Sequence, residues 1–250
     1  MASSDITGTT ALVTGASRGF GRATAVALHD AGADVVAVAR DAELLSTLRR
    51  ELGGSLATVA ADVTDPVVAG QLVERYRPTT LVLNAGAAPL SHPIHQHTWQ
   101  TFSRNWDVDV QHVFHWLREA LLLPLAPGST VITMSSGAAL RGSPLSGGYA
   151  GAKAAIRFIT DYAADESSRA GLGIRFLSVL PKLTPATDLG AVAVAAYARR
   201  DGIDVDEFLE RSGPALTPEQ VGKGIADLAT STDHLSGPYL LTAAGLSVVP

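Results

Sequence analysis

Cysteine is absent from the 250-residue chain, which excludes disulfides, thiol nucleophiles and thiolate zinc sites. That is compatible with a reducing compartment. Lysine is scarce, at Lys153, Lys182 and Lys223 alone, and no block of Lys or Arg occurs. With a formal net charge of -5, a nucleic-acid surface has no electrostatic support. No apolar run approaches the roughly 18 residues of a membrane span. Residues 1–10 are polar and lack the apolar core of a signal peptide. The expected protein is soluble and cytoplasmic, with neither nucleic acid nor membrane among its partners. No repeat, low-complexity tract or composition break divides the chain. Residues 1–250 therefore read as a single domain, long enough to bury roughly 75% of its unfolded surface.

What is present is an alternation. Short apolar, β-branched runs at 10–14, 34–39, 55–60, 80–83, 130–134, 174–180 and 239–242 read as strands. Between them, 21–31, 97–123, 146–170 and 217–230 read as helices. Asp41 caps a further helix that Gly53-Gly54 stops. Asp65-Pro66 places a capping acid before a Pro at the first helical position. Thr217-Pro-Glu-Gln220 is a capping box. Alternating strands and helices predict βαβ units, and uniformly apolar strands predict a parallel sheet covered on both faces. Residues 183–214 interrupt the alternation and read as a lid of short helices.

Thr14-Gly-Ala-Ser-Arg-Gly-Phe-Gly21 joins the first strand to the first helix. Gly15, Gly19 and Gly21 permit a tight turn and close backbone approach to a diphosphate, and the helix N-terminus offers N–H groups and a positive dipole end. The spacing departs from the G-x-G-x-x-G fingerprint. The second strand ends in Ala39-Arg40, without the acid that would accept from a ribose 2′-hydroxyl. Arg40 and Arg18 instead suit a 2′-phosphate. Asp62 is a candidate acceptor for an adenine amino group or a helix cap, with Asp65 the better cap.

Tyr149 and Lys153 are four apart on a helix, hence on one face. Ser136 follows the fifth strand, at the end of a parallel sheet where ligands bind. The set suits carbonyl reduction. A ketone receiving a hydride becomes an alkoxide and needs a proton donor. A tyrosine with a reference pKa of about 10 needs roughly 4 kcal/mol to come down three units. A cation about 4 Å away supplies that order of energy, and Lys153 is that cation. Ser136 can hydrogen-bond the carbonyl oxygen.

Together these pieces resemble the short-chain dehydrogenase/reductase family over almost the whole length. The carriers are Thr14 to Gly21, Asp62-Val63, Asn84-Ala85-Gly86, Ser135-Ser136 and Tyr149-Ala-Gly-Ala-Lys153, in the family's order. The resemblance implies a Rossmann-like, doubly wound parallel sheet of about seven strands. It implies an NADP(H)-dependent ketone or aldehyde reductase, reversible as an alcohol dehydrogenase. Tyr149 would be the acid/base and Ser136 the carbonyl orienter. Lys153 would hold the nicotinamide ribose and lower the tyrosine pKa. Candidate cofactor-binding residues are Gly15, Ser17, Arg18, Gly19, Phe20, Gly21, Arg40, Asp62, Val63, Asn84, Ala85, Gly86, Tyr149, Lys153, Pro181 and Thr184. The expected partners are a small, apolar carbonyl or alcohol substrate and a second copy of the chain. Homodimers or homotetramers would form through the helices at 97–123 and 146–170.

Three positions depart from the family pattern. Asp109 occupies the place of the fourth catalytic residue, an Asn, with Asn105 one turn earlier as a substitute. An altered pH profile is the expectation. Leu83-Asn84 replaces a doubled Asn. Pro181-Lys182 replaces Pro-Gly, so a Lys side chain crowds the pocket, points to solvent or contacts the cofactor. Asp109 and Lys182 also motivate an alternative, a cofactor-binding regulatory or partner subunit that has lost turnover. His92, His95 and His97 lie close in sequence, but no acid is near, and they read as a cleft rim or subunit contact with no metal. His112 and His115 share a helix face and read as packing or interface.

Overall fold

The computed structural model describes residues 6–53, 56–231 and 236–249. Gly54 and Ser55, read above as part of a helix stop and as a strand start, lie outside them. A single eight-stranded sheet runs in the order β3-β2-β1-β4-β5-β6-β7-β8. Its strands are β1 (Thr10–Thr14), β2 (Asp34–Ala39), β3 (Ala57–Ala60), β4 (Thr80–Leu83), β5 (Thr130–Met134), β6 (Arg175–Pro181), β7 (Gly237–Thr242) and β8 (Gly245–Val248). The neighbours from β3 through β7 are parallel, and β8 closes the edge antiparallel to β7. The chain winds outward from β1 to β3, returns to β4 beside β1, and proceeds the other way. The β1/β4 junction is therefore the switch point, where a crevice opens at the carboxyl ends of the strands.

The helices are α1 (Gly19–Asp30), α2 (Ala42–Leu52), α3 (Pro66–Tyr76), α4 (Trp99–Asn105), α5 (Gln111–Leu122), α6 (Ala138–Arg141), α7 (Gly147–Arg169), α8 (Asp188–Asp201), α9 (Val205–Ser212) and α10 (Pro218–Thr230). One apolar layer joins Leu28 of α1, Leu45 and Leu48 of α2 and Ile225 of α10 to the sheet. The opposite layer joins Val73 of α3, Trp116 of α5 and Ile156 of α7 to the other face. Burial on both sides explains why the central strands are apolar at nearly every position. Buried Trp116 also donates its indole N–H to the Val63 carbonyl at 2.9 Å, so no polar atom of that ring is stranded.

The sequence signals for helix starts hold. Asp41 accepts from the N–H groups of Glu43 and Leu44. Asp65 accepts from Val67, and Thr217 and Gln220 form the reciprocal capping box. Two expectations need correction. The sixth strand, read as 174–180, runs Arg175–Pro181, with Pro181 paired beside Leu241. The helical stretch from α4 to α5 is not uniformly α: Trp106–Val110 forms a π-helical turn between them.

Candidate active site

The β1–α1 turn carries Gly15 with φ 67°, a left-handed conformation that disfavours any side chain. A Cβ there would lie 2.8 Å from the Ala85 Cα, so the turn and the segment after β4 are backbone against backbone. Asn84 ties them together, donating its amide to the carbonyls of Thr14 at 3.1 Å and Gly15 at 3.3 Å. Its backbone N–H donates to the Thr14 hydroxyl at 2.9 Å. Arg18 precedes α1 in extended conformation and gives no side-chain cap. The first turn of α1 is thus a bare-backbone cradle at the switch point, of the kind that fits a dinucleotide diphosphate.

Around this cradle the predicted residues fall as follows. Ser17 and Phe20 are half-buried, and Phe20 packs against the core. Arg40 is exposed at the end of β2. Exposed Arg18 lies 3.5 Å from Asp188 in the first turn of α8; such a solvated pair is weak. Asp62 accepts from the N–H and hydroxyl of Thr64, which hold its carboxyl below the usual range. Thr184 is buried, with its hydroxyl donated to the Leu216 carbonyl. Lys182 is half-buried and sends its ammonium to the Ser212 carbonyl at the end of α9. The bond ties the end of β6 to α9.

At the carboxyl end of β5, α7 is stitched to the sheet. Ser135 donates its hydroxyl to the Lys153 carbonyl at 2.7 Å. The Lys153 ammonium donates to the Met134 carbonyl at 2.9 Å. Tyr149, one turn earlier on α7, is half-buried, with its ring centroid 5.6 Å from the Lys153 Nζ. The Ser136 hydroxyl accepts the Ala138 N–H at 3.2 Å, which leaves its own hydrogen to donate.

Asp109 comes in from the π-helical turn and places a carboxylate oxygen 3.2 Å from the Lys153 Nζ. The approach needs α4 and α7 to lie very close. Gly148 permits it, since a Cβ there would be 2.0 Å from the Phe102 carbonyl oxygen. Asp109 also accepts the Ala87 N–H at 2.7 Å, and Asn105 donates to the Ala87 carbonyl at 2.7 Å. Asn105 thus braces the loop after β4 beside Asp109. Burial pushes the Lys153 ammonium down, but the Asp109 carboxylate and the Tyr149 phenol outweigh burial and hold it above the usual lysine value.

The structure adds two features to the sequence reading. His112, read as packing or interface, is packed: it is fully buried near Ala85. Burial, reinforced by the Lys153 charge, pushes its imidazole down to about 3. Its position three residues beyond Asp109, on the same helical face, was the available signal. The second feature is a chain of hydroxyls. Tyr197 of α8 hydrogen-bonds Ser143, which accepts from Ser146 at 2.7 Å. The Tyr197 ring stacks on Phe208 of α9 at 6.1 Å. A spacing rule has no way to pair residues 54 apart in sequence. Among the described residues no His, Asp or Glu cluster could hold a metal ion, and no helix is long and apolar enough to cross a membrane. His92 and His97 meet edge to face at 6.1 Å.

The strand order and the glycine turn at its switch point define a class. The chain belongs to the short chain dehydrogenase family, whose model matches residues 9–197. It is 31% identical over 212 residues to bovine L-xylulose reductase, covering 82% of this chain and 85% of that protein. It is 32% identical to cis-4-hydroxycyclohexanecarboxylate dehydrogenase of Sinomonas cyclohexanicum, over 96% of both chains. A 3-ketoacyl-(acyl-carrier-protein) reductase from Brucella melitensis, solved in complex with NADH, superposes with a TM-score of 0.76. That match has 25% identity and covers 93% of this chain and 96% of that one.

Proposed function

We propose that the protein is an NADP(H)-dependent oxidoreductase that reduces ketones or aldehydes and oxidises the corresponding alcohols. One observation carries the reading: the Lys153 ammonium is fixed to the Met134 carbonyl at 2.9 Å, with Tyr149 one helical turn away and Ser136 two residues along. When bound, the nicotinamide would exchange a hydride with the carbonyl carbon. The diphosphate is assigned to Gly15, Ser17, Arg18, Gly19, Phe20 and Gly21. The 2′-phosphate goes to Arg18 and Arg40, and the adenosine to Asp62, Val63, Asn84, Ala85 and Gly86. Lys153, Pro181 and Thr184 flank the nicotinamide end.

In this reading Ser136 donates its hydroxyl hydrogen to the carbonyl oxygen and holds it beside Tyr149. Tyr149 gives its proton to the oxygen as negative charge develops there. Lys153 stabilises the phenolate left behind. Residues 183–214 close over the substrate, with Lys182 and Tyr197 tying the lid to the body of the domain. Phe114, Phe158 and Tyr162 are exposed on α5 and α7, and we assign these faces to a homodimer or homotetramer.

The test is a panel of polyhydroxy, alicyclic and long-chain carbonyls and alcohols, run with both NADP and NAD couples. Turnover with NADPH supports the reading. NADPH binding without turnover on any compound supports the second reading, a partner subunit, for which Asp109 and Lys182 are the motive.

A further inference from the structure

Asp109 is 1% exposed and the Lys153 side chain 7% exposed, 3.2 Å apart. The ammonium has three N–H groups. One goes to the Met134 carbonyl and one faces the Asp109 carboxylate. Only the third is left for Tyr149 or a ribose hydroxyl. Asp109 itself is held from the other side by the Ala87 N–H, in the loop directly after the nucleotide-facing Asn84-Ala-Gly86. The titratable groups that face Lys153 are Asp109 from the π-helical turn, His112 from α5 and Tyr149 from its own helix. Burial keeps His112 neutral. The charge at the inner end of the pocket is therefore the sum of one ammonium and one carboxylate.

We infer that Asp109 is a positioning residue that cancels the Lys153 charge within the pocket and thereby sets how the site discriminates between oxidised and reduced nicotinamide cofactor. This rests on the cofactor reading above. The two forms differ by one positive charge on the nicotinamide ring. A pocket whose inner end sums to zero tolerates that charge, whereas one carrying an uncompensated ammonium repels it. In a water-poor site, neighbouring unit charges interact strongly enough to change binding ratios severalfold.

The experiment is calorimetric titration of NADP and NADPH into four proteins at one pH and salt concentration: the native chain, Asp109→Asn, Lys153→Met and the double variant. The quantity read is the ratio of the oxidised-form Kd to the reduced-form Kd. Asp109→Asn is expected to raise it about fivefold or more, and Lys153→Met to lower it. The double variant, again neutral, should return to within about twofold of the native ratio. A purely structural role for Asp109 would weaken both forms together and leave the ratio in place. Ratios that agree within about twofold across all four proteins overturn the inference while leaving the cofactor assignment standing. If neither form binds the native chain, both readings fall. Should Asp109→Asn fail to fold, the Lys153→Met and double variants carry the same comparison, because their ratios must differ if Asp109 acts through charge.

Discussion

Ser135 donates its hydroxyl to the backbone carbonyl of Lys153 at 2.7 Å, in a site where both residues are buried. A carbonyl in the first turns of a helix already serves the helix ladder, so this second bond acts as an anchor between β5 and α7. Ser135→Ala removes the donor while the helix bond survives. The expected loss of stability is about 1–2 kcal/mol, read from the denaturant midpoint. Because the bond also fixes where Lys153 begins, kcat should fall more than KM rises. A kcat equal to the native value would mean that the anchor has no bearing on the site.

Tyr149→Phe removes the hydroxyl and little else, since the ring keeps its place beside Lys153. Proton donation by a positioned group contributes about a hundredfold to ten-thousandfold. Loss of turnover in that range is expected, with NADPH affinity within about threefold of native. Turnover near the native rate would take Tyr149 out of the mechanism.

Much of this was legible from residue order because each signal was local. Strand β1 at Thr10–Thr14 and the start of α10 at Thr217 are specified by apolar runs and capping chemistry within a few residues. Tyr149 and Lys153 meet because four residues make one helical turn. What was not legible depended on partners distant in sequence. The π-helical turn at Trp106–Val110 has a helix-compatible sequence, and only packing against α7 selects the wider register that turns Asp109 inward. The ammonium of Lys182 finds the end of α9 thirty residues away. The edge strand β8 is short and largely exposed, so it lacks the apolar run by which its neighbours were found.

Arg40 is exposed and makes no ion pair among the described residues, whereas Arg18 already faces Asp188. Arg40 is thus the better placed of the two to meet a 2′-phosphate. Arg40→Ala should weaken NADP about ten- to a hundredfold, the range of a charge-assisted hydrogen-bonded pair, and leave NAD within about twofold. Unchanged relative affinities would remove the NADP assignment.

Tyr197 is the one residue of α8 whose hydroxyl reaches the loop before α7, through Ser143. Tyr197→Phe keeps the stack on Phe208 and deletes that link. If 183–214 is a lid, KM should rise about three- to tenfold with kcat nearly kept, an effect on closure rather than on chemistry. Hydrogen exchange across α8 should quicken in the same variant. Exchange and KM that both stay native would show that the contact is incidental to closure.

His112 makes stability depend on pH in a direction fixed by its burial. The unfolded imidazole takes up a proton near its ordinary value of 6.5, while the folded one resists until about 3. Between those values the unfolded chain binds more protons, so stability is complete above about pH 6.5 and falls as the pH drops toward 3. By pH 5 the loss relative to pH 8 comes to about 2 kcal/mol. His112→Leu removes the titrating group and exchanges a flat ring for a branched aliphatic side chain of different shape. It should shift the denaturant midpoint at pH 8 by its own packing cost and then lose less between pH 8 and pH 5 than the native protein does. The comparison between the two pH intervals cancels the packing term, since that term does not titrate. An equal loss for both proteins would place the acid sensitivity elsewhere and leave His112 protonatable in the folded chain.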